Sequence, residues 1–125
     1  MEHTVAATRN SSVAVFGAGG VGLSVILGAQ RRGCSTIIAV DIDDQKLRFA
    51  KRLGATHVLN AKAKDVLAQI SKIVPSGLDY TVDASGNKNA MENAFAAIKE
   101  KGGVCVIAGN LSKDEKIQLH PFDLI

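Results

Sequence analysis

The sequence predicts an α/β domain whose single sheet is open, parallel and doubly wound, with strand order 3-2-1-4-5. Three observations predict it. Short β-branched apolar runs alternate with segments of helical period along the whole chain. Those runs are apolar on successive residues, as strands covered on both faces require. The chain is also 125 residues long, enough for one core and too short for two. Strand, helix and parallel strand in succession imply crossover connections, and crossovers on both faces give this sheet.

Ser11 and Ser12 lead into the first strand, Val13-Ala14-Val15-Phe16, which Gly17 closes. Gly20 to Arg32 then forms a helix with Val21, Ser24, Val25, Gly28 and Ala29 as its small-residue packing face; Arg31, Arg32 and Gly33 supply a cationic last turn and a stop. Thr36 to Val40 is the second strand, and Asp43 or Asp44 caps a helix running through Leu47, Phe49, Ala50 and Leu53 to Gly54. His57-Val58-Leu59 is a short third strand. The next helix spans about Ala63 to Val74, with Val66, Leu67, Ile70 and Ile73 on one face, and Pro75-Ser76-Gly77 breaks it. Tyr80 to Ala84 is the fourth strand, Asn87 to Glu100 a helix with Met91, Ala94, Phe95 and Ile98 inward, and Val104 to Ala108 the fifth strand.

Composition narrows the class of function. Hydrophobic residues make up 46% and charged residues 22%, which fits a soluble globular unit. The longest apolar stretch, Val13 to Ala29, is interrupted by five glycines and Ser24 and is not a membrane span. Met1 to Asn10 lacks the apolar region of a secretory signal, so a cytoplasmic location is expected and no membrane partner. The net charge of +3 comes from dispersed Lys and Arg with one Tyr and four Phe, which is a solvated basic surface and no nucleic-acid site. Cys34 and Cys105 have no metal-ligand spacing around them and are expected to be buried packing residues.

Ligands of such sheets bind at the carboxyl ends of strands one and four, where the winding reverses. At the first of these ends stands Gly17-Ala18-Gly19-Gly20-Val21-Gly22, a G-x-G-x-x-G sequence. With 12 glycines in 125 residues, chance alone gives about 0.1 such matches, so the motif is weak in isolation. Its context strengthens it: it follows a strand, opens a helix, and precedes Asp41 at the end of the next strand by 19 residues. Gly17 permits a tight turn, Gly19 lets backbone approach a pyrophosphate, and Gly22 allows the helix to pack closely on the sheet. The helix N-terminus offers N–H groups and partial positive charge to that anion. Asp41 can accept from the adenosine ribose hydroxyls and would repel a 2′-phosphate, which favours NAD over NADP. The competing reading, which can overlap with this one, is that Asp41 belongs to the cap of the second helix with Asp43 and Asp44. Lys46 is placed to reach the same ribose, or is simply solvated. A Rossmann domain over residues 11–125, after a lead segment of residues 1–10, is the resulting expectation.

Four blocks carry a resemblance beyond the glycine motif: Val15 to Gly22, Val40 to Leu47, Leu53 to Asn60, and Asp79 to Gly86. In order and spacing they resemble the cofactor domain of the zinc-type, medium-chain alcohol dehydrogenases, over roughly Ser12 to Ile125. The resemblance implies that Gly19, Gly20 and Val21 lie at the pyrophosphate, that Asp41 and Lys46 hold the ribose, and that Ala84, Ser85 and Gly86 line the adenosine side. It implies also that Ala108, Gly109 and Asn110 lie toward the nicotinamide. For Ser85 and Asn87, capping of the following helix is an equal alternative.

The departures bear on activity. Members of that family carry a separate catalytic domain with a zinc held by Cys, His and acidic residues, and no such ligand set occurs in this sequence. His3, His57 and His120 are too scattered to replace it. No catalytic or metal-binding residue is therefore expected in this chain, and zinc is expected only in the catalytic domain of a longer parent acting on an alcohol or polyol. The family also continues into a sixth strand. Its absence would make this a C-terminally truncated domain with an open strand-five edge suited to self-association. A fragment of that kind is expected to bind NAD without turnover. The competing readings are a stand-alone regulatory module sensing NAD or its reduced form, and a methyltransferase with a similar glycine loop.

Overall fold

The structure, a computed structural model, describes residues 10–63 and 65–108. Five strands, β1 (Ser12–Phe16), β2 (Thr36–Asp41), β3 (His57–Asn60), β4 (Tyr80–Asp83) and β5 (Val104–Ile107), alternate with four helices. These are α1 (Gly20–Arg31), α2 (Asp44–Leu53), α3 (Val66–Ile73) and α4 (Lys88–Ala96). All strand pairs are parallel and the order is β3-β2-β1-β4-β5, as the sequence predicts. β1 runs between β2 and β4, with Phe16 level with Val40 on one side and Asp83 on the other. The winding reverses at that point.

Strand side chains alternate between two cores. Val13, Val15, Ile37 and Ala39 pack with Val25, Ile26 and Ala29 of α1 and with Leu47 and Ala50 of α2. On the opposite face, Ala14, Phe16, Ile38 and Val40 pack with Val66 and Ile70 of α3 and Ala94 of α4. Both cysteines are buried, and burial pushes the Cys34 thiol above its ordinary value. No helix among the described residues is long and apolar enough to cross a membrane.

The inward face of α1 differs from the one predicted. Its buried residues are Gly22, Val25, Ile26 and Ala29, whereas Ser24 is exposed and Val21 keeps 53% of its surface. The helix is rotated because Gly22 is pressed onto the turn before it: a Cβ there would overlap the Gly17 carbonyl oxygen. In α2, Leu47 and Ala50 are buried while Phe49 is nearly half exposed.

Two helices are shorter than predicted, each for a polar reason. α3 starts at Val66, since Asp65 caps it by accepting from the Ala68 N–H, and Ala63 belongs to a turn closed on the Asn60 carbonyl. α4 ends at Ala96 and does not reach Glu100. The chain beyond it serves Leu78, whose N–H donates to the Ala97 carbonyl and whose carbonyl accepts from the Lys99 N–H. Leu78 is fully buried, so its backbone groups need partners within the protein, and the helix gives way to supply them. The approach is close enough to require glycine at 77, where φ is +92° and a Cβ would stand 2.6 Å from the Lys99 Cα.

At the amino end of the sheet Asp79 gathers β1, β4 and the segment after α4. Its carboxylate accepts from the Ser12 N–H at 2.9 Å and the Ser12 hydroxyl at 3.2 Å, and pairs with the Lys99 ammonium at 2.6 Å. Burial alone would raise the Asp79 pKa, but the Lys99 and Ser12 donors outweigh it and hold the carboxyl below its ordinary value of 3.8.

Two outcomes follow for stability. Gly22→Ala should cost about 3 kcal/mol in urea denaturation because backbone must move. Gly28→Ala, on the same helix but with nothing within 4 Å of its Cβ, should gain roughly 0.5 to 1 kcal/mol; equal midpoints for the two variants would contradict the packing described. Because Asp79 is depressed in the folded state, its contribution is complete above the unfolded carboxylate range and is lost as pH falls through the folded value. Asp79→Asn should accordingly be less stable than the parent at neutral pH, and the gap should close in melts taken below about pH 4.

Candidate functional site

The carboxyl ends of β1, β2 and β4 enclose a cleft of about 780 Å³, within the usual size range of small-ligand sites. Strand ends form its floor: Phe16 and Gly17 from β1 and its turn, Val40, Asp41 and Ile42 from β2, and Ala84 and Ser85 after β4. Helical residues wall it, with Lys46 from α2, Val66 from α3, and Asn89 and Asn93 from α4.

The glycine turn closes one side. Gly17 adopts φ +104°, and a Cβ on it would come within 2.8 Å of the Ser85 nitrogen, so the turn and the loop after β4 touch backbone to backbone. The Gly17 N–H donates to the Val40 carbonyl at 2.7 Å, and the Ala84 N–H donates to the Phe16 carbonyl at 2.8 Å. At Gly19 and Gly20 the situation is reversed: among the described residues nothing lies within 4 Å of either Cβ position, and these leave the space over the helix entrance open.

That entrance is α1, and Gly19 is its N-cap with no side chain to satisfy the first-turn N–H groups. No acidic residue stands in its first turn. The other three described helices are each capped, α2 by Asp43, α3 by Asp65 and α4 by Asn87. N–H donors with no side-chain cap at the positive end of a helix form an arrangement that can accept an anion, worth about 0.3 to 2 kcal/mol for an aligned charge. A dinucleotide's diphosphate fits these residues.

Asp41 ends β2 beside this turn. One carboxylate oxygen accepts from the Ala18 N–H at 2.7 Å; the other accepts from Ile42 at 2.7 Å and Asp43 at 3.0 Å. A carboxylate offers about four lone-pair sites, so one is left, on the oxygen facing Ala18. The capping role falls to Asp43, which accepts from the Gln45 and Lys46 N–H groups. Asp41 instead holds the backbone that leads into this cap. Lys46 is exposed and lies on the cleft wall.

Of the residues singled out in the sequence, Gly17, Gly19, Asp41, Lys46, Ala84 and Ser85 meet in the cleft. Gly20 and Val21 open α1, Gly22 packs against Gly17, Gly86 turns the chain toward α4 at φ +71°, and Ala108 donates to the Asp83 carbonyl after β5. These five lie off the cleft wall. Gly109 and Asn110 lie outside the described residues, as do His3 and His120. Asn87 caps α4 and its N–H donates to the Ser85 hydroxyl, so both belong to the helix entry as well as to the cleft.

Sequence reasoning passed over Asp83. It is the last residue of β4 and fully buried, and one of its oxygens accepts from the Ser85 N–H at 3.0 Å and the Ser85 hydroxyl at 2.6 Å. Its other oxygen has no hydrogen-bond partner among the described residues. The available signal was an acidic residue at the end of an otherwise apolar strand, the same signal that identified Asp41. Among the described residues, no group of three or more His, Cys, Asp or Glu could hold a metal ion.

The family profile described as zinc-binding dehydrogenase matches residues 20–125. The S-(hydroxymethyl)glutathione dehydrogenase of Saccharomyces cerevisiae is 40% identical over 122 residues, covering 94% of this chain and 32% of that protein. Among solved structures, benzyl alcohol dehydrogenase from Acinetobacter calcoaceticus aligns with a TM-score of 0.82 and 37% identity, over 94% of this chain and 32% of its own. A zinc-binding dehydrogenase from Sinorhizobium meliloti 1021, bound to NADP, aligns with a TM-score of 0.81 and 32% identity, over 93% and 34%. The chain thus spans about a third of the length of the relatives it matches. Profile, sequence and fold agree over nearly all of it, and the chain belongs to the zinc-binding dehydrogenase family, related to medium-chain alcohol dehydrogenases over about 94% of its length.

Proposed function

We propose that this chain is the NAD-holding domain of a zinc-type dehydrogenase that moves hydride to or from an alcohol or polyol. The observation that carries the reading is the uncapped N-terminus of α1 opening onto free space at Gly19 and Gly20, with the Asp41 carboxylate beside it. The diphosphate sits at Gly19, Gly20 and Val21, and the adenosine ribose donates to the remaining lone pair of Asp41 within reach of Lys46. The adenine side lies along Ala84, Ser85 and Gly86. The nicotinamide extends toward Ala108, with Gly109 and Asn110, which lie outside the described residues, completing that end. Asp41 carries the preference between cofactors: a 2′-phosphate placed at its carboxylate meets like charge at short range. NADP, bound by the Sinorhizobium relative, is the cofactor to be excluded.

Zinc and the substrate pocket belong to the catalytic domain of the whole protein, where the metal would activate the substrate oxygen. The chain by itself binds cofactor without turning over, resides in the cytoplasm, and self-associates through β5, which among the described residues pairs only with β4. Calorimetric titration with NAD, NADP and adenosylmethionine tests the reading. NAD should bind at least tenfold more tightly than NADP, a difference of about 1.4 kcal/mol, and adenosylmethionine should not bind. Asp41→Arg should weaken NAD by more than tenfold and reverse the preference. Equal affinity of the parent chain for both dinucleotides would remove the role given to Asp41 in selection.

A further inference from the structure

We infer that Asp41 is also a positioning residue for the diphosphate turn, setting its shape before any ribose is bound. This rests on the nucleotide-binding reading above. Ala18 is 1% exposed and sits between Gly17 at φ +104° and Gly19 at the mouth of α1. Its N–H is directed at one Asp41 oxygen, 2.7 Å away, while the other oxygen is fixed by the Ile42 and Asp43 N–H groups. The carboxylate is thus clamped from its own strand end and reaches across to the neighbouring turn. A run of Gly-Ala-Gly-Gly has no side chain that could hold its own conformation, and glycines lose the most backbone freedom on ordering. Within the turn itself, only the Gly17 bond to the Val40 carbonyl adds a second backbone tether to β2. Asp41 therefore acts on two parts of the cofactor: directly on the ribose through its remaining lone pair, and on the diphosphate through Ala18, by keeping the first-turn N–H groups of α1 aimed at one place.

A ligand without ribose hydroxyls separates the two actions. Asp41→Ala and the parent chain are titrated with NAD and with its 2′,3′-dideoxyadenosine analogue, and Ala18 amide hydrogen exchange is followed in both proteins without ligand. The expected result is about a tenfold loss of affinity for the dideoxy analogue, a larger loss for NAD, and at least tenfold faster exchange at Ala18 with Val15 and Ala39 unchanged. An unaltered affinity for the dideoxy analogue, or unaltered exchange at Ala18, overturns the inference and leaves Asp41 a ribose ligand alone. If Asp41→Ala does not fold, Asp41→Asn carries the same comparison with one acceptor oxygen in place of two, and the scalar coupling across the Ala18 to Asp41 hydrogen bond is read in the parent chain. If the parent binds no dinucleotide, the proposed function fails, while exchange at Ala18 still decides whether the carboxylate holds the turn.

Discussion

The contact on which the rest of the molecule depends is backbone against backbone, where Gly22 of α1 rests on the carbonyl of Gly17. It fixes the distance between the first strand and the first helix, and so brings the N-terminus of α1 directly above the end of β1. The same contact explains why the buried stripe of α1 runs through Gly22, Val25, Ile26 and Ala29, and not through the neighbouring set that includes Val21 and Ser24. Once the helix is seated in this way Val21 faces out and Gly19 is left bare, and the helix begins without a side-chain cap. A helix start without a side-chain cap is a local cost, since its first N–H groups have no partner inside the helix. Here that cost coincides with open space at the switch point of the sheet, which is where this architecture binds ligands.

The fold was legible because strands buried on both faces leave little ambiguity: Val13 to Phe16, Thr36 to Val40 and Val104 to Ala108 can be little else when helical segments separate them. Helix ends were harder to read. Nothing near Glu100 announces that α4 stops at Ala96, because the cause is Leu78, some twenty residues earlier, whose buried backbone takes Ala97 and Lys99 as partners. Likewise Ala63 has better helix propensity than Asp65, yet Asp65 caps and so defines the start of α3. Tertiary need and side-chain capping overrode local preference at both positions.

Within the site, the legible residues were those next to strand ends. Gly17, Gly19, Asp41, Ala84 and Ser85 follow from the rule that ligands sit at carboxyl ends, applied strand by strand. Asn89, Asn93 and Asp65 were not legible as cleft residues, because their presence depends on how far α3 and α4 lean over the sheet. The partnership of Asp41 with Ala18 was also hidden. A motif assigns a residue its ligand, while the bonds it makes with its own protein depend on the seating of a neighbouring turn.

Two acidic strand ends on either side of β1 are unfavourable to an anion, and the geometry reduces that effect. Asp41 spends three of its lone pairs on main-chain N–H groups, which offset its charge as they fix its place. Asp83 is buried beneath the loop after β4 and spends one oxygen on the N–H and hydroxyl of Ser85. Asp41 thus grips the glycine turn and Asp83 the loop after β4, and the two meet where Gly17 abuts Ser85. Among the described residues, the second Asp83 oxygen is buried without a hydrogen-bond partner. Among the described residues, the bonds its carboxylate makes are those that set Ser85 against the turn. The two walls of the cleft are therefore held by the same device: an acid at a strand end, turned to the backbone of a loop that lines the cleft.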